Sequence, residues 1–164
     1  MSEPVHLRPA TLHDTENIWS WRNDSIARAA SYNSDLIPYE DHVRWFSSRL
    51  EDGRTKFLIA VDRHGTNIGA VRLDLRSNTA EISIALAPEA RGQGYGSVVI
   101  RAACKYAREI GIQKIIARLK LKNENSIRAF RRAGFKVEKQ VEILGCMSLE
   151  MNLCLTTGSA PQEH

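Results

Sequence analysis

The stretch Leu86-Ala87-Pro88-Glu89-Ala90-Arg91-Gly92-Gln93-Gly94-Tyr95-Gly96 decides the fold, because it joins a predicted strand to a predicted helix through a glycine-rich turn. The strand, Ala80 to Leu86, alternates between apolar and polar residues, and the helix shows apolar residues at helical spacing until Gly111 ends it. Backbone N–H groups in such a turn converge with the helix N-terminus on one spot, where the helix dipole favours negative charge. The stretch therefore predicts an anion site.

The residues of this turn exclude two common nucleotide loops. It lacks the Gly-Lys-Ser/Thr ending of the nucleoside-triphosphate loop, and Ser97 stands where the dinucleotide fingerprint needs its third glycine. From the turn alone, a tight strand-to-helix connection without a ligand remains an alternative.

Hydrophobic periodicity on both sides of the turn predicts a three-layer α/β (α+β) domain, with a mostly antiparallel sheet and helices on both faces. Residues 22–38 are polar and predicted to be irregular, residues 1–155 form the domain, and residues 156–164 form a disordered tail. The predicted strands are His6–Pro9, Phe57–Val61, Ile68–Leu75, Ala80–Leu86, Lys114–Leu119, Phe135–Val141 and Leu144–Leu153. The other predicted helices are Asp14–Trp21, Tyr39–Leu50 and Asn125–Ala133.

Composition predicts a single cytoplasmic domain that needs no metal and no disulfide. A chain of 164 residues with 43% hydrophobic residues can bury a core of its own. No apolar run reaches about 18 residues, so no transmembrane helix is predicted, and the N-terminus shows no signal peptide. Three cysteines without a C-x-x-C pair favour reduced thiols.

The net charge of +4 and the pI of about 9.1 fit either a mildly basic surface or an anionic ligand. The excess of positive charge is too small to make a nucleic acid the first choice. The positive charge is concentrated in one stretch of fifteen residues. Its members are Arg118, Lys120, Lys122, Arg128, Arg131 and Arg132.

The turn resembles the acetyl-CoA motif of the GNAT acyltransferase superfamily, in which Arg or Gln is followed by Gly-x-Gly/Ala after two residues. Arg91, Gly94 and Gly96 satisfy that motif. Asn123-Glu124-Asn125-Ser126 and Ala133-Gly134-Phe135 are similar to the asparagine-rich helix start and the "AGF" segment of the same superfamily. The resemblance covers residues 5–153 and implies acetyl-CoA as co-substrate.

The resemblance also implies how CoA is bound: the glycine turn holds the pyrophosphate, and pantetheine enters a gap beside the strand that ends at Leu86. Either Arg128 or Arg131, in the predicted helix Asn125–Ala133, would reach a phosphate. The implied CoA contacts are Leu86, Ala87, Arg91, Gly92, Gln93, Gly94, Tyr95, Gly96, Ser97, Asn123, Asn125, Ser126, Arg128 and Arg131.

The pattern Trp21-Arg22-Asn23 with Glu40-x-His42-x-x-Trp45-Phe46 resembles the amino-sugar-nucleotide N-acetyltransferases of pseudaminic acid synthesis. It is more loosely similar to ribosomal-protein N-terminal acetyltransferases. The first likeness implies a UDP-linked amino sugar as the acceptor, and the second implies a protein N-terminus. The oligomeric state stays open, a homodimer included. The predicted acceptor contacts are Arg22, Asn23, His42, Trp45, Arg72 and Asp74.

Amine acetylation needs a base, and the hairpin around residues 76–79 offers one. If Leu75 pairs with Ala80, every pair on one face is apolar, and Asp74 then lies opposite Glu81 on the other face. Opposed carboxylates repel, so one is expected to hold its proton more tightly. Members of the superfamily often place a glutamate base on this strand, so Glu81 is the predicted base; the alternative is that both acids face solvent beside Arg72.

One departure from the superfamily concerns the general acid. Many relatives have a tyrosine four residues before the glycine of the "AGF" segment, where this chain has Phe130. Either Ser126 or a water donates the proton, or the thiolate leaves without one. A CoA-binding module without catalysis is therefore an open alternative.

Overall fold

The computed structural model describes residues 4–155 as seven strands and five α-helices. The strands are β1 (His6–Pro9), β2 (Thr55–Val61), β3 (Asn67–Arg76), β4 (Thr79–Leu86), β5 (Lys114–Lys120), β6 (Lys136–Ile143) and β7 (Cys146–Cys154). The helices are α1 (Thr15–Asn23), α2 (Ser25–Ala30), α3 (Tyr39–Glu51), α4 (Tyr95–Glu109) and α5 (Glu124–Arg132). The predicted tail, residues 156–164, lies outside the described residues. Within residues 4–155, no helix is long and apolar enough to cross a membrane.

The strands form one sheet in the order β1-β2-β3-β4-β5-β7-β6, which confirms the predicted mostly antiparallel sheet. Only the β4–β5 pair is parallel among the described strands. The predicted hairpin register is also confirmed, with Leu75 opposite Ala80 and Asp74 opposite Glu81. Burying one apolar face fixes that register, because a slip of one residue would expose it.

The two faces of the sheet differ in polarity. Val71, Leu73 and Ile82 point to a buried apolar face, together with Ile115 and Met151 from β5 and β7. Helices α4 and α5 cover this face with apolar residues of the same core. The opposite face has polar residues from β3 to β7, among them Arg72, Glu81, Arg118 and Glu150. Helix α1 packs near β3 and β4, and α3 packs near β2.

Helix α2 was missed by the sequence pattern, which predicted an irregular segment here. Its cap is Asp24, whose carboxylate accepts hydrogen bonds from the N–H groups of Ile26 and Ala27. The same carboxylate pairs with Arg91, 67 residues later in the chain. A helix of six residues has too few turns to show a hydrophobic period, and part of its anchoring comes from this distant contact.

Candidate active site

The sheet opens between its two central strands, β4 and β5. Their backbones pair only from Thr79–Lys114 to Glu81–Ile116. Beyond this point β4 continues to pair with β3 as far as Leu86, and β5 with β7 as far as Lys120. A V-shaped gap therefore begins directly after Glu81.

The backbone of Leu86 faces this gap. Ala87 N–H donates to Ile68 O at 2.9 Å, on the β3 side. Because backbone groups alternate along an antiparallel pair, the N–H and C=O of Leu86 point away from β3. The carbonyl accepts from Arg91 Nη2 at 3.3 Å, in agreement with that direction. The Leu86 N–H is thus available in the gap, whereas the Ala87 N–H is occupied.

The glycine turn lies at the wide end of the gap and leads into α4. Gly92 and Gly94 have left-handed backbones, with φ of 73° and 82°, and Gly94 caps α4 without a side chain. A Cβ at Gly94 would meet nothing within 4 Å, so the space above the helix start is open. Tyr95 begins α4, and Gly96 and the buried Ser97 follow it. The backbone N–H groups of Gly96 and Ser97 have no earlier helical turn to bond. Open N–H groups and the helix dipole make this an anion site.

Three residues of the turn make contacts within the protein that the sequence did not indicate. The Arg91 guanidinium pairs with Asp24 at 2.7 Å, and Gln93 donates to Glu89 O at 2.6 Å. A Cβ at Gly96 would lie 3.2 Å from the Cβ of Ala129, so this glycine permits the close approach of α4 and α5. Arg91 and Gln93 therefore use their side chains to shape the turn.

Helix α5 begins beside the gap. Asn123 caps it by accepting from Ser126 N–H, and Asn125 accepts from Arg128 at 2.6 Å. Arg131 is exposed and has no ion-pair partner within residues 4–155. Of the predicted CoA contacts on this helix, Ser126 is half-buried and the two arginines are at the surface.

The residue in place of the tyrosine acid, Phe130, is buried at 3% exposure. Its ring meets Phe135 edge-on, with 4.9 Å between ring centroids. A side chain packed in this way belongs to the core and has no proton to donate.

At the narrow end of the gap, Glu81 accepts from Arg118 at 2.7 Å. Arg118 also pairs with Glu150 at 3.0 Å, and Lys139 Nζ lies 3.8 Å from the same Glu150 carboxylate. The chain of charges crosses four strands, from β4 to β6. The sequence did not indicate that Arg118 bridges Glu81 and Glu150, because these contacts join strands that are far apart in the chain. The only sign in the sequence was that Arg118 and Glu150 alternate with apolar residues in their strands.

The opposed carboxylates predicted on the hairpin are present, but each has its own guanidinium. Asp74 pairs with Arg72 at 3.1 Å, while Glu81 pairs with Arg118. These ion pairs offset the expected repulsion between the two acids. Both acids line an open groove with a volume of about 920 Å³. Other lining residues are Arg49, Asp52, Arg54, Thr55, Arg76, Thr79, Ile116 and Arg118.

Farther along the same face, two arginines meet one tryptophan. The Arg22 guanidinium carbon lies 3.9 Å from the Trp45 ring centroid, and that of Arg72 lies 5.5 Å from it. Burial, together with the nearby charge of Arg72, lowers the pKa of Arg22 to about 10. These three predicted acceptor residues are therefore brought together, next to Asp74.

The other two predicted acceptor residues face inward. His42 is fully buried, with Nδ1 3.1 Å from Arg22 Nη1 and Nε2 2.9 Å from Thr15 O. Burial lowers the pKa of His42, so the ring is neutral, with its proton on Nε2 and its lone pair toward Arg22. Asn23 bonds both backbone groups of Ile37. The polar atoms of both side chains therefore take part in contacts within the protein.

The basic stretch does not form one surface. Arg118 lies in the sheet between two glutamates, and Lys120 donates to Ala29 O and faces the Tyr32 ring. The arginines of α5 lie on a separate element. The sequence cluster is therefore not a continuous phosphate-binding patch of the kind a nucleic acid needs.

Comparison with known proteins agrees with this geometry. A family model described as an acetyltransferase (GNAT) domain matches residues 5–136. An L-methionine sulfoximine/L-methionine sulfone acetyltransferase of Pseudomonas aeruginosa is 27% identical over 146 residues, which cover 85% of this chain and 84% of that protein.

Two solved structures share the fold. Spermidine N-acetyltransferase from Vibrio cholerae, in complex with CoA and spermine, has a TM-score of 0.84 at 19% identity; the match covers 92% of this chain and 95% of that one. YncA from Salmonella typhimurium with its cofactor acetyl-CoA has a TM-score of 0.77 at 24% identity, covering 98% and 99%. The chain belongs to the GNAT acetyltransferases and is an N-acetyltransferase that uses acetyl-CoA.

Proposed function

We propose that this enzyme acetylates a small primary amine, with Glu81 as the base that accepts the amine proton through a chain of waters. The observation that supports this role is position: Glu81 is the last residue of β4 that pairs with β5, so its carboxylate stands where the gap opens. It also lines the groove of about 920 Å³, through which an acceptor can approach the gap.

The cofactor would lie along the gap. Its pyrophosphate would accept hydrogen bonds from the backbone of residues 92–97, where Gly94 leaves the helix start open. Pantetheine would lie between the separated strands, with Asn123, Asn125 and Ser126 on the α5 side. The exposed Arg128 and Arg131 are the side chains that can reach a phosphate from there.

The chemistry follows from these placements. A neutral amine nitrogen attacks the thioester carbon, and the Leu86 N–H stabilises the oxyanion that forms. The C–S bond then breaks, and the electron pair leaves on the CoA sulfur. Glu81 lies five residues before Leu86 on β4, about 16 Å along the strand, so the ammonium proton would pass to it through a chain of waters in the gap. Phe130 supplies no proton, so the thiolate leaves unaided or takes a proton from Ser126 or water.

The acceptor is a small amine in this proposal. The amino-sugar nucleotide expected from the sequence rested on the pattern of residues 21–23 with Glu40, His42, Trp45 and Phe46. Of these, Trp21, His42 and Phe46 are buried, and Asn23 bonds the backbone of Ile37. The relatives described above are named for other acceptors. An amino-sugar nucleotide and a peptide N-terminus therefore remain acceptors to be tested, together with simple amines. Three free cysteines support a reducing, cytoplasmic location.

Glu81→Gln tests the base. The glutamine can still accept from Arg118 but cannot take up a proton, so we expect normal acetyl-CoA binding and a turnover reduced by about 10²–10⁴-fold. Asp74→Asn should cost less. The matched control is Glu142→Gln, the same change at an exposed position of β6. Near wild-type turnover in the Glu81 variant would rule out the assignment.

A further inference from the structure

Lys120, the last residue of β5, lies at the wide end of the gap. The parallel pairs between β4 and β5 join residues that are 35 positions apart, such as Glu81 and Ile116, so Lys120 is level with the residue before Leu86. Its side chain follows that of Arg118 by two residues and therefore projects from the same face of the sheet as Glu81. The chain thus places an amine of its own at the level of the Leu86 N–H, on the polar face.

Helix α2 crosses the gap on this face and holds the Lys120 side chain there. At the start of α2, Asp24 pairs with Arg91, whose Nη2 donates to the carbonyl of Leu86. At its end, the carbonyl of Ala29 accepts from Lys120 Nζ at 3.2 Å. The two ends of one short helix are therefore tied to the two sides of the gap, and the Lys120 ammonium lies over its β5 side.

The Lys120 ammonium is held by weak contacts. Within residues 4–155 these are the hydrogen bond to Ala29 O and the face of the Tyr32 ring, whose centroid is 5.8 Å from Nζ, and no carboxylate of that part of the chain pairs with it. Lys114 and Lys139, by contrast, pair with glutamates. The four-carbon stem of lysine is flexible, so a rotation that gives up one carbonyl contact can turn the amine into the gap.

The distance from Lys120 to the cofactor follows from the width of a sheet. An extended chain between two strands lies about 4.8 Å from each of them. Pantetheine between β4 and β5 would therefore lie about that far from the backbone of Lys120, well within the reach of its side chain. The thioester, with its oxygen at the Leu86 N–H, would stand at the same level.

We propose that Lys120 is a self-acetylation site, whose amine takes one acetyl group from the acetyl-CoA bound in the same chain. The inference rests on the proposed position of the thioester at the Leu86 N–H and goes beyond the acetylation of free amines. It does not depend on Glu81, because Lys120 lies at the wide end of the gap, where solvent water can take its proton.

The reaction uses only acetyl-CoA and this lysine. After its ammonium group has lost a proton to water, the neutral Lys120 nitrogen attacks the thioester carbon. The N–C bond forms, the C–S bond breaks, and the electron pair leaves on the CoA sulfur. The nitrogen loses a second proton, the thiolate takes up one, and the products are an acetylated lysine, CoA thiol and one proton in solution. Each chain reacts once and loses the positive charge that faces Tyr32.

The test incubates the full chain with acetyl-CoA that has a deuterated acetyl group, without an acceptor amine, and maps the label by mass spectrometry. We expect Lys120 to be labelled at least about 10-fold faster than any other lysine, because proximity favours the intramolecular reaction. The rate constant should not change with protein concentration, and an excess of CoA should lower it by competition. Lys120→Arg should remove this fast label, whereas the matched control Lys122→Arg, at an exposed lysine two residues later, should keep it.

The decisive measurement is made on the wild-type protein, so it does not depend on the folding of a variant. An even label on all exposed lysines, a rate constant that rises with protein concentration, or labelling that excess CoA does not slow overturns the inference. If Lys120 stays unlabelled while small amines are acetylated, self-acetylation fails and the proposed function stands. If Glu81→Gln acetylates small amines at the wild-type rate while Lys120 is labelled, the base assignment fails alone.

Discussion

Replacing Gly94 by alanine tests the pyrophosphate site most directly. Gly94 caps α4 with φ of 82°, and a Cβ there would project into open space above the helix start. In the free protein this change causes backbone strain only, at about 1 kcal/mol for alanine in the left-handed region. In the complex it also places a methyl group where a phosphate oxygen has to approach the backbone N–H groups.

Gly65, in the β2–β3 turn, provides a matched control. Its φ is 83°, and a Cβ there would also meet nothing within 4 Å. Gly65→Ala and Gly94→Ala should therefore lower the melting temperature equally, by about 2–4 °C. Only Gly94→Ala should weaken CoA, by about 10–100-fold, if one charge-assisted hydrogen bond is lost.

The assays are thermal unfolding without ligand and calorimetric titration with CoA. Unchanged CoA affinity in Gly94→Ala, at equal loss of melting temperature, would refute the pyrophosphate assignment. A valine at Gly96 is less informative, because its side chain would strike Ala129 and separate α4 from α5 whether or not CoA binds there.

Two further predictions concern contacts that the sequence did not reveal. The buried His42 has a lowered pKa, so below about pH 6.5 the unfolded chain binds a proton that the folded chain does not. The free energy of unfolding should therefore fall as the pH drops from 7 to 5. The fall should be less steep in His42→Gln than in wild type or in the exposed control His6→Gln. Equal slopes for the three proteins, measured by urea unfolding, would contradict this. For the Asp24–Arg91 ion pair, a double-mutant cycle with Asp24→Asn and Arg91→Gln should show a coupling of about 0.5–1 kcal/mol in urea unfolding. Asp24→Asn should also weaken CoA binding several-fold in calorimetry, because Arg91 belongs to the glycine turn. Additive effects of the two changes would show that the pair does not position the turn.

Local pattern was enough for much of the fold. The strand His6–Pro9 has the predicted bounds, and the hairpin register followed from the need to bury one face. The hairpin register could be predicted because two strands joined by a short turn have few alternative registers, and each wrong register exposes apolar residues. Helix α2 was beyond this reasoning, since six residues show no period and their cap is held by Arg91.

The acceptor side was predicted only in part. The sequence singled out Arg22, Trp45, Arg72 and Asp74, which the structure brings together, but also His42, which is fully buried. The sequence pattern of an amphipathic helix does not show whether a polar residue faces a substrate or a neighbouring helix. The contact with Thr15 that decides between them is tertiary.

The sequence by itself determined the glycine turn, the alternation of the strands around it and therefore the position of Glu81 on β4, because turn chemistry and side-chain period are local properties. Only the tertiary structure decided that β4 and β5 separate after Glu81, that Arg118 joins Glu81 to Glu150, and that Arg22 lies without a counter-charge over Trp45. These features arise between strands and helices that are distant in the chain, where pairing and burial depend on how the whole sheet packs.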